Sequence, residues 1–246
     1  MLEGPVGSMV DIEVLGPNEL NTRTVRLARM RATVPSVIAF MYPETPYGYL
    51  KISSFTETTL QDVDEALVRL SRENMKGLIL DLRENNGGIF ESSIETARRF
   101  LVSGIITSTL NQNPKDNLVY KATDANALRL PMVVLVDGDT ASAAEVLAGA
   151  LKDNKRATLI GQTTFGKGCT QRVLKLPHAP GNVPTGGMKL TVERFFSPKG
   201  VPYSGRGIVP NIILDERMTQ SQAALGTNLY VDRAVEELNR LLAAPK

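Results

Sequence analysis

Two nearly uninterrupted apolar runs, Gly77 to Leu82 (GLILDL) and Pro131 to Val136 (PMVVLV), constrain the fold of this chain more than any other feature. A strand with one wet face alternates apolar and polar residues. A run that is apolar at successive positions suits a strand covered on both faces of a sheet, as in helix-flanked parallel sheets. Helical spacing occurs in Leu60 to Asn74 (Val63, Leu67, Leu70), in Ser92 to Val102 and in Ala141 to Lys152. These segments alternate with the two runs and with the shorter strand-like stretches Tyr47 to Ile52 and Thr158 to Gly161. Alternating strands and helices predict an α/β fold. Met9 to Leu15 and Thr22 to Ala28, joined by Gly16-Pro17-Asn18, predict a hairpin. A loop is expected after Val102 through Pro114, β-like runs at Arg172 to Leu176 and Met188 to Phe196, and a last amphipathic helix from Asn228 to Leu242.

Composition narrows the chemistry. A net charge of +2 with both signs interspersed, six Tyr, seven Phe and no Trp give neither a basic stripe nor a stacking platform for nucleic acid. A single cysteine, Cys169, and a single histidine, His178, leave no intrachain disulfide and no thiolate or imidazole metal cluster. No stretch reaches the roughly 18 apolar residues of a membrane span. The beginning of the sequence, which runs directly into a strand-like pattern, reads as the interior of a longer protein.

Both apolar runs end in small-residue turns, and the carboxyl ends of strands in α/β sheets are where ligands and reacting groups gather. The first turn closes with Gly87-Gly88, either a turn needing positive φ or part of an oxyanion hole made of backbone N–H groups. The second leads to Ser142 at a helix start. There a hydroxyl can be a nucleophile beside free N–H groups, or simply the cap of the box Ser142-Ala143-Ala144-Glu145. Gly166-Lys167-Gly168 then holds a lysine between two glycines, a solvated loop residue or a general base. As a base it must be neutral, and lowering its pKa from about 10.4 to about 7.5 takes roughly 4 kcal/mol of burial. Gly161 to Gly168 has the glycine spacing of a phosphate-gripping loop but no Ser or Thr after the lysine to ligate magnesium. His178, in Pro177-His178-Ala179-Pro180-Gly181, is a surface turn residue or the one candidate for a Ser-His-Asp triad, with Asp137 and Asp139 as its carboxylates.

Taken together, Leu80-Asp81-Leu82-Arg83-Glu84-Asn85-Asn86-Gly87-Gly88, Val136-Asp137-Gly138-Asp139-Thr140-Ala141-Ser142-Ala143-Ala144-Glu145 and Gly161-Gln162-Thr163-Thr164-Phe165-Gly166-Lys167-Gly168-Cys169-Thr170-Gln171 resemble the carboxyl-terminal processing proteases. The likeness extends to Gly48 through Ile52 with Phe55, to Ser197-Pro198-Lys199-Gly200 and to Gly205-Arg206-Gly207-Ile208-Val209-Pro210. It implies an α/β fold related to the ClpP and crotonase superfamily and cleavage of polypeptides near a free carboxyl terminus. It also implies Ser142 as nucleophile, Lys167 as base, Gln171 as the partner orienting the lysine, and Gly88 and Ala143 as oxyanion donors, with no metal or organic cofactor.

Members of this family carry a PDZ domain. The hairpin within residues 1–31 looks like its last strands, most of the domain being absent, and residues 32–246 like the peptidase domain. Family members are commonly exported to periplasm, cell envelope or thylakoid lumen, so the parent protein is expected to be exported too. Asp137, Thr140, Ala144 and Asn211 depart from the family's usual residues, and none of them is in the acid–base pair. The superfamily also contains non-catalytic ligand-binding members and acyl-CoA enzymes, but the presence of both Ser142 and Lys167 favours the peptidase. Without its activator domain, the core could equally be inactive.

Overall fold

The structure is a computed structural model and describes residues 4–17, 21–30, 35–175, 186–215 and 228–243. The chain divides into two compact units, Met1–Pro35 and Ser36–Lys246. The first holds the expected hairpin, β1 (Met9–Val14) antiparallel to β2 (Arg23–Ala28) with Met9 opposite Ala28.

The second unit is α/β, as the sequence predicts. Its larger sheet has six strands in the order β12-β9-β8-β5-β4-β3, namely β3 (Val37–Met41), β4 (Tyr47–Ile52), β5 (Gly77–Asp81), β8 (Met132–Val136), β9 (Thr158–Gly161) and β12 (Ile212–Ile213). All neighbours are parallel except the edge strand β3, which runs antiparallel to β4. Successive side chains point to opposite faces of a sheet, so each apolar run feeds two cores. Met132, Val134 and Val136 join the helices α1 (Thr59–Arg72), α2 (Phe90–Arg98) and α3 (Ala143–Asp153), whereas Val133 and Leu135 join α4 (Leu229–Ala243). Every residue of β5 and β8 is buried. At the outer edge, Arg69 of α1 donates to the Ala39 carbonyl of β3 at 2.5 Å.

A second, antiparallel sheet has the order β10-β11-β6-β7, built from β6 (Gly104–Asn111), β7 (Leu118–Ala122), β10 (Cys169–Lys175) and β11 (Gly187–Phe196). Strand β6 lies where a loop was expected. Its residues Ile105, Ile106, Thr107 and Thr109 are β-branched and favour a pleated surface.

One polar group interrupts the run of β5, and it is fully paired. The buried carboxylate of Asp81 accepts from the backbone N–H of Arg83 at 2.9 Å, from the Arg83 guanidinium at 2.5 to 3.1 Å and from the Tyr49 hydroxyl at 2.5 Å. Burial first, and Asp81 second, push the Tyr49 pKa up. The guanidinium also lies over the Tyr230 ring of α4, 4.6 Å from its centroid. Removing one partner of a buried pair strands the other. Asp81→Ala is therefore expected to cost about 3–5 kcal/mol, read as a lowered urea midpoint with an unchanged slope.

Candidate active site

Strand β8 ends at Val136, and the turn that follows carries the chain onto α3 through Ser142. Ser142 has φ 58° and ψ −119°, a region that residues with a Cβ seldom enter. Such strain costs on the order of 1–3 kcal/mol and persists only where the surroundings over-determine it. Here they do: the Ser142 N–H donates to Glu145 Oε2 at 2.9 Å, and a Cβ on Gly87 would come within 2.8 Å of the Ser142 Cβ. Ser142 thus stands between the first turn of α3 and the glycine turn after β5.

That glycine turn is pinned from several sides. Asn85, fully buried, donates to the Ile52 carbonyl at 2.8 Å and accepts from the Gly87 N–H at 2.8 Å. The Phe55 N–H donates to the Gly87 carbonyl and the Ile89 N–H to the Phe55 carbonyl, each at 2.8 Å. The Ala141 N–H donates to the Asn85 carbonyl at 2.9 Å, which joins the two turns directly. Asp137 joins them again, its carboxylate accepting from the N–H groups of Glu84, Asp139 and Thr140. This carboxylate is engaged in holding loops.

The amide N–H groups of Gly88 and Ala143 donate to no acceptor among the described residues. Unengaged donors on two adjoining turns, at the positive end of a helix, are the arrangement that stabilises an oxyanion. Gly88 has φ +136°, and a Cβ there would sit 2.1 Å from the Phe55 carbonyl oxygen. Gly88→Ala is accordingly expected to push the turn away from Ser142 and lower kcat by about 10²-fold or more, measured in steady-state turnover with folding checked by circular dichroism.

The lysine loop is fixed by Glu145, whose side chain is fully buried. Its Oε1 accepts from the Thr164 hydroxyl at 2.6 Å and the Gly166 N–H at 2.8 Å, while Oε2 accepts from the Lys167 N–H at 2.8 Å as well as from Ser142. One carboxylate therefore ties the serine to the backbone of the lysine. The loop is also held to the segment after β11: Thr164 N–H donates to the Ile208 carbonyl and Gly205 N–H to the Gly166 carbonyl. Sequence reasoning saw Glu145 only as the far end of a capping box. The signal for more was there, since it is the one acidic residue among nine buried positions from Ala143 to Leu151.

Gly88, Ser142, Lys167 and Gln171 line one cavity of about 450 Å³, together with Phe90 and Phe195. Ala143 is buried at the start of α3 beside it. The Lys167 side chain is exposed and, among the described residues, makes no hydrogen bond to Ser142. Gln171 is exposed as well, at a bulge in the pairing of β10 with β11. Cys169 is half-buried in the same cavity. His178 lies outside the described residues. No group of three or more metal-ligating side chains occurs among the described residues, and no helix there is long and apolar enough to cross a membrane.

Comparison with known proteins gives the arrangement a family. The chain is 35% identical over 231 residues to the C-terminal processing peptidase, chloroplastic, of Tetradesmus obliquus, covering 87% of this chain and 48% of that protein. It is 33% identical over 218 residues to the carboxyl-terminal-processing protease of Synechocystis, covering 87% and 49%. Among solved structures, a photosystem II D1 C-terminal processing protease matches with a TM-score of 0.64 at 34% identity, over 86% of this chain and 57% of that one. The chain spans about half the length of the curated relatives it matches. The description of peptidase family S41 matches residues 46–214, which contain both turns, the Ser142 helix and the Lys167 loop, and the chain belongs to that family.

Proposed function

We propose that this chain is the catalytic unit of a serine endopeptidase that cleaves polypeptides near their carboxyl termini, with Ser142 as nucleophile, Lys167 as base and Gln171 orienting the lysine. The observation that carries this reading is the strained Ser142 facing one cavity with Lys167, beside two unengaged amide donors. Neutral Lys167 Nζ takes the Ser142 Oγ proton as Oγ adds to the scissile carbonyl. The oxyanion forms against the N–H groups of Gly88 and Ala143. Collapse breaks the C–N bond, and the proton on Lys167 passes to the departing amine. Water then attacks the ester, again giving its proton to Lys167; the C–Oγ bond breaks, the acyl group leaves as the new carboxyl terminus, and Lys167 returns the proton to Ser142 Oγ.

Lys167 acts as a base only when water is removed from around it. In the present conformation it is exposed. A polypeptide laid across the cavity supplies the missing cover and makes desolvation part of substrate binding. The exposed lysine also favours a second reading, in which the core stays unassembled until a PDZ domain engages it. The hairpin of residues 1–31 is then the last part of such a domain and residues 32–246 are the peptidase domain. The chloroplastic designation of the Tetradesmus relative supports an exported parent protein.

Product mapping by mass spectrometry tests the proposal. The chain and its Lys167→Ala variant are each given an unfolded polypeptide with a free or an amidated carboxyl terminus. Clipping near the free terminus by the unaltered chain alone is the expected result. Clipping by both proteins removes Lys167 from the mechanism. If neither clips, fluorophosphonate labelling of Ser142 identifies an unassembled peptidase, and absence of labelling identifies a non-catalytic binding member.

A further inference from the structure

The carboxylates in and around the catalytic cavity fall into two groups. Asp137 and Glu145 are engaged by loop N–H groups, and Asp81 is paired with Arg83. Glu91 and Glu193 are not engaged. Both line the cavity that holds Ser142 and Lys167, and neither makes a side-chain hydrogen bond or ion pair among the described residues.

Glu91 is exposed in the first turn of α2, where a negative charge meets the positive end of a helix. That accounts for an acid at this position. Nothing similar accounts for Glu193. It is half-buried on β11, an inner strand of its sheet and a place where glutamate is disfavoured, and its cross-strand neighbours are the uncharged Thr170 of β10 and Asn111 of β6. The two carboxylates also act on a common neighbour. Tyr120, half-buried on β7, meets Phe90 edge to face with ring centroids 5.5 Å apart, and its pKa is raised by burial first, then by Glu193 and then by Glu91. Both acids therefore belong to the side of the cavity where Phe90 packs.

The cavity has two cations of its own, Lys167 and Lys189. Lys189 is exposed and four residues from Glu193 along β11, about 13 Å at the rise of a strand. Lys167 is uncharged when it takes the serine proton in the proposed reaction. The cavity then presents two unpartnered carboxylates against one distant lysine. No group of three metal-ligating side chains forms there or elsewhere among the described residues, which leaves an organic cation as the fitting partner. Ile89, exposed beside Glu91 in the same cavity, offers apolar surface to the methylene stem of such a group.

We propose, on the peptidase reading given above, that Glu91 and Glu193 form a specificity subsite that selects polypeptides with a lysine or arginine close to the scissile bond. The strained Ser142 and the unengaged amides make this cavity the place where a polypeptide reacts, and the two acids decide which polypeptide. The cationic head sits between the carboxylates as its stem lies along Ile89.

The test measures binding and cleavage separately. Short unfolded Ala/Ser peptides carry one lysine, norleucine or glutamate, moved position by position along the chain, and norleucine keeps the lysine stem without its charge. Binding to the Ser142→Ala chain is expected to be at least about fivefold tighter for lysine than for norleucine at one position or two adjacent ones, and this ratio is expected to shrink as salt is raised. Glu91→Gln and Glu193→Gln are each expected to reduce the ratio and the double variant to bring it close to one, with folding checked by circular dichroism. Glu193→Lys is expected to turn the preference toward the glutamate peptide, a reversal that a merely structural role does not produce. Tighter binding of the lysine peptides without cleavage by the unaltered chain keeps the subsite and removes the peptidase reading. Cleavage of lysine and norleucine peptides at equal rates keeps the peptidase and overturns the subsite. Equal binding at every position, no binding of any peptide, a ratio indifferent to salt, or a ratio that survives the double variant also overturns it.

Discussion

Ser142→Ala is expected to lower kcat on an unfolded polypeptide by about 10⁴- to 10⁶-fold, the scale seen when a serine nucleophile is removed from a unit that works as a whole. Lys167→Ala is expected to cost nearly as much, and Lys167→Arg no less, because a guanidinium stays protonated and cannot accept the serine proton. The double variant is expected to be no slower than the worse single one, since each change alone disables the same step. Residual turnover should come from the proposed oxyanion donors Gly88 and Ala143, whose backbone positions neither substitution removes. Single-turnover kinetics with each variant, checked for folding by circular dichroism, measures this. Full activity of Lys167→Ala would sink the Ser/Lys assignment, while strictly additive losses would mean that the two residues act in separate steps.

The second large effect belongs to Glu145. Its carboxylate accepts four hydrogen bonds, from Ser142 N–H, Thr164 Oγ1, Gly166 N–H and Lys167 N–H. Glu145→Ala leaves these donors facing a cavity. A buried charged hydrogen-bond network broken from one side costs about 3–5 kcal/mol, and the Ser142 and Lys167 backbones lose their common anchor, so turnover is expected to fall with stability. Glu145→Gln is the sharper variant. It keeps the volume but replaces one acceptor oxygen with an NH₂ that meets at least one fixed backbone N–H donor whichever way the amide is turned. It is expected to lose at least half the stability that Glu145→Ala loses, measured as a urea midpoint shift. A glutamine variant as stable as the parent would mean that shape, and not the charge of the carboxylate that accepts these four bonds, holds the loop.

The large sheet was legible because burial on both faces leaves a mark at every residue. Strands β5 and β8 follow from the runs at 77–82 and 131–136, and α1, α2 and α3 follow from apolar spacing on their sheet-facing sides. Strands β3, β6, β7 and β12 were not read. β6 mixes Ser and Thr with Ile and has a half-exposed face, so its alternation resembles that of a polar loop. The site was only partly legible from residue types. Gly87-Gly88, Ser142 and Lys167 each had an ordinary reading as turn, cap and loop residue, and the joint order of the three motifs, through family resemblance, selected among these readings. The reach of Glu145 to Gly166 and Lys167 spans more than twenty residues, and nothing local reports such a contact. The exposure of Lys167 is likewise a property of distant walls: the neutral lysine that the proposed chemistry requires is to be made by what covers the cavity, not by the glycines beside it.

The contact between Arg69 and Ala39 bears on how this protein behaves in crowded solution. Strand β3 is the outermost of its sheet and contains no charge or proline, the composition that lets one molecule's backbone extend another's into a growing stack. The guanidinium already holds a carbonyl in the middle of that strand. An incoming strand finds the ladder interrupted at its centre and must displace the arginine to complete it. A side chain on a helix thus keeps a five-residue edge from becoming a template for fibrous self-association.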